Sequence, residues 1–281
     1  MLEIESKTQG AELISIKKDG KEYLHQGRED WKRHAPVLFP IVGQIKNGET
    51  IIENQKYHMG QHGFARDMEF KEIEKSSKEH KYVLKSNKET LEKYPYKFEL
   101  KITHKVMENS VETEYTVVNK DSKIIYFGLG GHPAFICEYG NENYELSFNK
   151  VEDKVRFYKL TNGLINDEES ENIIEEGNRI KLTKDLFKED AIIMKNLNSN
   201  KVILKENEKE LLEFDFSEFP ILAIWSKVGA SFLCIEPWQN TADSVSSDGI
   251  FEHKENIIKL DDVKTFVKNR KLPFEYVKQL A

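Results

Sequence analysis

Apolar and polar residues alternate with a period of two along most of this 281-residue chain, the pattern of strands that bury one face. Ala11–Lys17 alternates, Asp19-Gly20 reads as a hairpin turn, and Glu22–His25 returns. Ile51–Glu53, the turn Asn54-Gln55 and Lys56–His58 repeat the device. Strands are then predicted at Glu69–Lys75, His80–Ser86, Phe98–Met107 and Ser110–Asn119. Later ones fall at Glu145–Phe148, Arg156–Tyr158, Ala191–Met194, Lys201–Lys205, Leu211–Phe216, Ile221–Trp225 and Phe232–Glu236. Short helical turns are predicted at Glu29–His34, Thr90–Tyr94 and Val263–Asn269, and no long amphipathic helix. Many short strands broken by turns predict an all-β fold, a large antiparallel sandwich or barrel. With no Pro- or Ser-rich linker and no internal repeat, residues 1–281 read as one domain. Between Asp67 and Glu114, Lys and Glu alternate with apolar residues, as in a sheet with one solvated face.

Composition narrows the function classes. A formal net charge of −7 argues against a nucleic-acid binder, which carries a basic face. The longest apolar runs, Ile124–Leu129 and Pro220–Trp225, are too short to span a bilayer, and Met1–Gly10 holds no secretory apolar segment. No membrane partner and a cytoplasmic location are expected. Two cysteines, Cys137 and Cys234, make no disulfide framework and read as buried thiols close to one another.

Two short segments carry the best candidates for chemistry: Gly130-Gly131-His132-Pro133-Ala134-Phe135 and Cys234-Ile235-Glu236-Pro237-Trp238. In each, an ionisable residue ends an apolar run and precedes proline, which holds it in extended backbone. The glycines before His132 would let a ligand approach closely, or simply form a turn beside a structural histidine. Glu236 shares a strand face with Phe232 and Cys234, where an ionised carboxylate is costly unless paired or functional. The alternative is that the strand ends there and Glu236 reaches water. The Gly-broken segment His58–Arg66 brings two histidines and an arginine; Arg66 either forks onto substrate oxygens or pairs with Asp67. Asp190 places an acid at the mouth of a strand, and Phe135, Trp225 and Trp238 either stack on a sugar ring or belong to the core. Phosphate-loop, dinucleotide, nucleophile-elbow and Cys-x-x-Cys patterns are absent, which leaves acid–base chemistry or binding. A metal enzyme using His58, His62, His132 and Glu236 would lack the usual His-x-His pair.

Together these segments resemble the aldose 1-epimerase (galactose mutarotase-like) superfamily, in particular its LacX-like branch. The matching pieces are Trp31 with Pro36–Gly43, His62–Arg66, Gly131–Phe135, Asp190–Ile193, and Glu236-Pro237-Trp238 with Ala242-Asp243, in the family's order. The resemblance implies an antiparallel β-supersandwich and interconversion of the α and β anomers of a monosaccharide, with no cofactor and no metal. It implies Glu236 as general base on the anomeric hydroxyl and His132 as general acid on the ring oxygen. It also implies that His62, Arg66 and Asp190 hold the sugar. Gln44 stands where the branch often has arginine, which removes a charge from the expected cleft, with Lys46 as a partial substitute; this speaks against a hexose-6-phosphate 1-epimerase. His25 stands where tryptophan is common, a packing position. A sugar-binding protein without catalysis is the other reading. Oligomeric state is not legible.

Overall fold

The structure, a computed structural model, describes residues 1–140 and 143–273. Its alternating segments assemble into two large sheets whose pairings are antiparallel. The nine-stranded sheet runs in the order Arg179–Lys181, Tyr144–Phe148, Lys201–Glu206, Lys209–Asp215, Thr265–Pro273, Ser110–Asn119, Phe98–Val106, Glu79–Lys85, Lys71–Lys75. The seven-stranded sheet runs Arg156–Tyr158, Ile192–Lys195, Ile221–Trp225, Phe232–Trp238, Gly130–Gly131, Val37–Leu38, and Ala134–Ile136 also pairs with Phe232–Trp238. Leu2–Ser6, Leu13–Lys18 and Lys21–Glu22 form a third, smaller sheet.

Register explains why the sheets pack as they do. Leu233, Ile235, Leu222, Ile224 and Met194 of the seven-stranded sheet form one core with Leu146, Val202, Leu204 and Phe214 of the nine-stranded sheet. The alternate residues of the same strands, Cys234, Glu236, Trp238, Ala223 and Ile193, therefore point to the other face. That face carries the site described below. The charge-rich region behaves as its alternation predicts. Tyr82, Ile102 and Tyr115 align across three strands and are buried, while in the next row Lys81 and Glu114 are half-buried and flank the buried Thr103.

Two helical expectations fail and one holds. Lys88–Lys93 is helical, started by a reciprocal Asn87–Thr90 capping box. Residues 29–34 form irregular turns. Val263–Asn269 falls mainly on the strand Thr265–Pro273, which pairs with Ser110–Asn119 through nine successive residues. Its apolar residues, Val263, Phe266 and Val267, are spaced as on a helix, but the long edge it finds to pair with outweighs that local pattern. No helix among the described residues is long and apolar enough to cross a membrane.

One buried histidine outside the site makes stability depend on pH. His104 is sealed between Thr113 Oγ1, 3.0 Å from Nδ1, and the Ala11 carbonyl, 2.8 Å from Nε2. Burial, opposed by the Ala11 hydrogen bond and aided by the Arg270 charge, drives its pKa down to about 3. Below its ordinary pKa the unfolded chain binds a proton that the folded chain refuses, so stability falls as pH drops from about 6.5 toward 3. Acidification from pH 7 to 5 is expected to remove about 2 kcal/mol through this residue. Urea unfolding at both pH values, with His104→Gln as reference, checks this; an equal loss in both proteins would refute it.

Candidate active site

Glu236 reaches its position because the strand Phe232–Trp238 lies inside its sheet, with Ala223 opposite Glu236 on one side and Gly130 and Ala134–Ile136 pairing on the other. His132 sits between Gly130–Gly131 and Ala134–Ile136, its N–H donating to the Pro36 carbonyl at 3.0 Å. Its Nε2 lies 3.4 Å from Glu236 Oε1. Trp238 Nε1–H donates to Glu236 Oε2 at 3.1 Å. Both ionisable residues are buried, Glu236 at 1% and His132 at 7% exposure.

Burial dominates the electrostatics. Desolvation holds the Glu236 carboxyl well above the usual carboxylate range; the Trp238 hydrogen bond opposes this and the Asp190 charge adds to it. Desolvation, with the Arg66 charge, drives His132 down to about 3. Each group is therefore pressed toward its neutral form. Carboxyl plus imidazole, or carboxylate plus imidazolium, offers one donor and one acceptor in a single cavity.

Three polar residues complete the wall. His62 has a left-handed backbone (φ 65°). Its N–H donates to the Gly43 carbonyl at 2.7 Å, and its Nδ1 accepts the Gly43 N–H at 3.0 Å. An accepting Nδ1 leaves the proton on Nε2, and burial drives this imidazole well below its ordinary pKa, so His62 offers a neutral N–H donor. Gly43 is required there: it has φ 68°, and a Cβ would stand 2.5 Å from Ala242 Cβ. Arg66, on the turn Ala65–Asp67, donates from Nη2 to the Gln61 carbonyl at 2.8 Å, while Nε sits 3.7 Å from Asp67 Oδ2. Arg66 pairs with Asp67 and also lines the cavity. Asp190 is exposed at the mouth, with a strained φ of 125° and Oδ1 accepting the Ala191 N–H at 2.7 Å.

The cavity measures about 280 Å³ and is bounded by His62, Arg66, His132, Asp190 and Glu236, with Trp31, Trp225 and Trp238 as apolar walls. A larger one, about 510 Å³, adjoins it across Ala242. Most of its charges are already spoken for: Lys254 with Asp243, Lys195 with Glu255 at 2.5 Å, His253 with Asp248 at 2.8 Å. The smaller cavity is the candidate site because, among the described residues, it holds the only His–Glu contact between two buried groups.

Several expectations need correction. Phe135 faces the core against Phe214, ring centroids 6.0 Å apart, because Ala134 rather than Phe135 shares the face of Cys234 and Glu236. The glycines before His132 make room for protein: a Cβ on Gly130 would stand 3.0 Å from Trp238 Cδ1, and one on Gly131 would stand 2.7 Å from the Tyr115 hydroxyl. Glu236 does not reach water. His58 is exposed on the hairpin strand Gln55–His58 and lines a different cavity, so the four-ligand metal set does not assemble. Gln44 packs on Gly163, and Lys46 Nζ donates to the Ser247 carbonyl at 3.1 Å; neither lines the cavity. Cys137 belongs to the core between the sheets and Cys234 to the site face, both free. Ligating atoms of His132, Cys234 and Glu236 lie within 4.8 Å of one another, and burial pushes the Cys234 thiol well above its ordinary pKa. His25 is a packing residue as expected, with Nε2 2.8 Å from the Trp31 carbonyl and its ring against Phe232.

Trp31 is a wall residue that alternation does not reveal. Its indole stacks on His132, centroids 5.0 Å apart and planes 26° apart, and meets Trp225 edge-on. A lone tryptophan in the charged segment Glu29–His34 is its only local signal.

The family pattern described as aldose 1-epimerase matches residues 2–249. The chain belongs to the aldose 1-epimerase family. It is 34% identical over 283 residues, 95% of each chain, to protein LacX (plasmid) of Lactococcus lactis subsp. lactis. Its structure is similar to that of a galactose mutarotase related enzyme from Lactobacillus acidophilus, with TM-score 0.90 and 33% identity, covering 99% of this chain and 96% of that one. A galactose mutarotase-like protein from Lactobacillus casei ATCC 334 gives TM-score 0.91 and 29% identity, covering 97% and 96%. The all-β architecture expected from the alternation is the fold of these mutarotase-like proteins.

Proposed function

We propose that this member of the family is a mutarotase that interconverts the α and β anomers of a free aldohexose. The reading rests on one observation above the others: a buried histidine and glutamate lie 3.4 Å apart at the wall of a cavity sized for a single sugar ring. In the ionic form of the pair, Glu236 takes the proton of the anomeric hydroxyl while His132 gives one to the ring oxygen. The ring opens, C1 rotates about the C1–C2 bond, and closure on the opposite face reverses both transfers. Neither step needs a covalent adduct or a change of oxidation state. His62 Nε2–H and Arg66 donate to the ring oxygen and neighbouring hydroxyls, and Asp190 accepts from hydroxyls at the mouth.

Charge favours an unphosphorylated substrate. Among the described residues, Arg66 is the one lysine or arginine on the cavity wall. It already holds the Gln61 carbonyl and lies near Asp67, and Asp190 and Glu236 are both acids. A phosphate would face two carboxyl groups with a single, shared guanidinium. Polarimetry on freshly dissolved α-glucose, α-galactose and their 6-phosphates tests this. Acceleration of the free sugars with little or none for the phosphates is expected; the reverse order would overturn the assignment. Asp190→Asn keeps the shape but weakens hydroxyl recognition, so KM should rise about tenfold with kcat nearly unchanged. A large fall in kcat at constant KM would instead place Asp190 in the proton transfer.

A further inference from the structure

We propose that Trp238, seated on Gly130, is the positioning residue that steadies the carboxylate form of Glu236 and leaves one of its oxygens free for proton transfer. The proposal deepens the mutarotase reading and rests on it for its kinetic consequences, but its central statement concerns the free protein.

The geometry is specific. Glu236 and Trp238 lie two residues apart on one strand and project to the same face. The indole N–H reaches Oε2 at 3.1 Å, while Oε1 faces His132 Nε2 at 3.4 Å. The two carboxyl oxygens thus have different neighbours, one a fixed donor and the other the proton-transfer partner. An indole nitrogen donates only, so this contact favours carboxylate over carboxylic acid. The other ionisable groups around Glu236 do not replace it: Asp190 disfavours its charge, Cys234 is a buried neutral thiol, and His62 and Arg66 act next to His132.

The seat of the indole is equally specific. Gly130 pairs directly with Trp238, and a methyl group on it would press against Cδ1 at 3.0 Å. The first glycine of the Gly-Gly pair therefore allows the indole to lie where its N–H meets Oε2. On the other partner, Trp31 presents its π-face to the His132 ring, a contact that favours imidazolium. Two indoles thereby support the ionic form that the mechanism needs, against burial that favours the neutral one.

The test uses Trp238→Phe, which keeps an aromatic wall but removes the N–H, with Gly130→Ala as a second variant that leaves Trp238 present but displaced. Titration of Glu236 is followed in the sugar-free protein by NMR of ¹³C-labelled glutamate carboxyls, with Glu236→Gln to assign the signal. Both variants are expected to shift this titration upward by about one pH unit. In mutarotation kinetics the acid limb should shift in the same direction, with kcat down about tenfold and KM within about twofold. An unshifted Glu236 titration in Trp238→Phe would overturn the proposal. A rise in KM alone, with titration and pH profile unchanged, would overturn it too and make Trp238 a sugar-stacking wall. If wild type does not accelerate anomer exchange at all, the mutarotase reading fails, while the NMR titration still decides the role of Trp238. Should Trp238→Phe fail to fold, Gly130→Ala carries both readouts.

Discussion

Glu236→Gln is expected to lower kcat for anomer exchange by about 10²- to 10⁴-fold, the range for loss of a general base. Glutamine matches the shape of the carboxyl group and its amide oxygen can still accept from Trp238 Nε1, so the contacts that seat residue 236 survive. What disappears is the ability to take a proton. Stability should hold or rise, because a buried ionisable group is replaced by a neutral one. Sugar binding should weaken only a few-fold, since His62, Arg66 and Asp190 are untouched. Thermal unfolding, sugar titration and polarimetry on the same preparation separate these effects. Lost activity with lost structure would not support the assignment; lost activity with intact binding does.

His132→Gln is the matching case on the other partner. It should cost a similar factor in kcat, because the ring oxygen loses its proton donor and Glu236 loses the group with which it shares a proton. The two losses should not add: the pair acts as one unit, so Glu236→Gln with His132→Gln is expected near the weaker single variant. A double variant slower than either single one by the product of their factors would mean that the residues act independently. Removing His132 also empties the space against Trp31, so some loss of stability is expected here and not for Glu236→Gln.

Much of the fold is legible because alternation reports directly on sheets with one buried face. The rows Tyr82–Ile102–Tyr115 and Leu84–Leu100–Val117 show the same period in space that the sequence shows in line. The segment Val263–Asn269 misleads because it carries few apolar positions and its partner strand, Ser110–Asn119, lies far earlier in the chain. Strand pairing over that separation leaves no local trace.

At the site, His132 and Glu236 stand out because a proline follows each and because Glu236 breaks an apolar run. Phe135 takes the core one of its two readings because alternation puts His132 and Ala134 on the site face and Phe135 on the other, as the pairing of Ala134 with Cys234 discloses. The glycines announce a close approach, but the sequence alone does not say that the approaching groups are Trp238 and Tyr115. Gln44 reads in sequence as a lost charge in the cleft; its side chain lies against Gly163 and does not line the cavity.

The most direct measurement is polarimetry of freshly dissolved α-galactose and α-glucose against a buffer blank, with wild type, Glu236→Gln and His132→Gln side by side. Wild type is expected to bring at least one sugar to anomeric equilibrium far faster than buffer, and both variants to fall back close to the buffer rate. A wild-type rate equal to buffer for both sugars, together with saturable binding, would contradict it and make the cavity a binding site without chemistry.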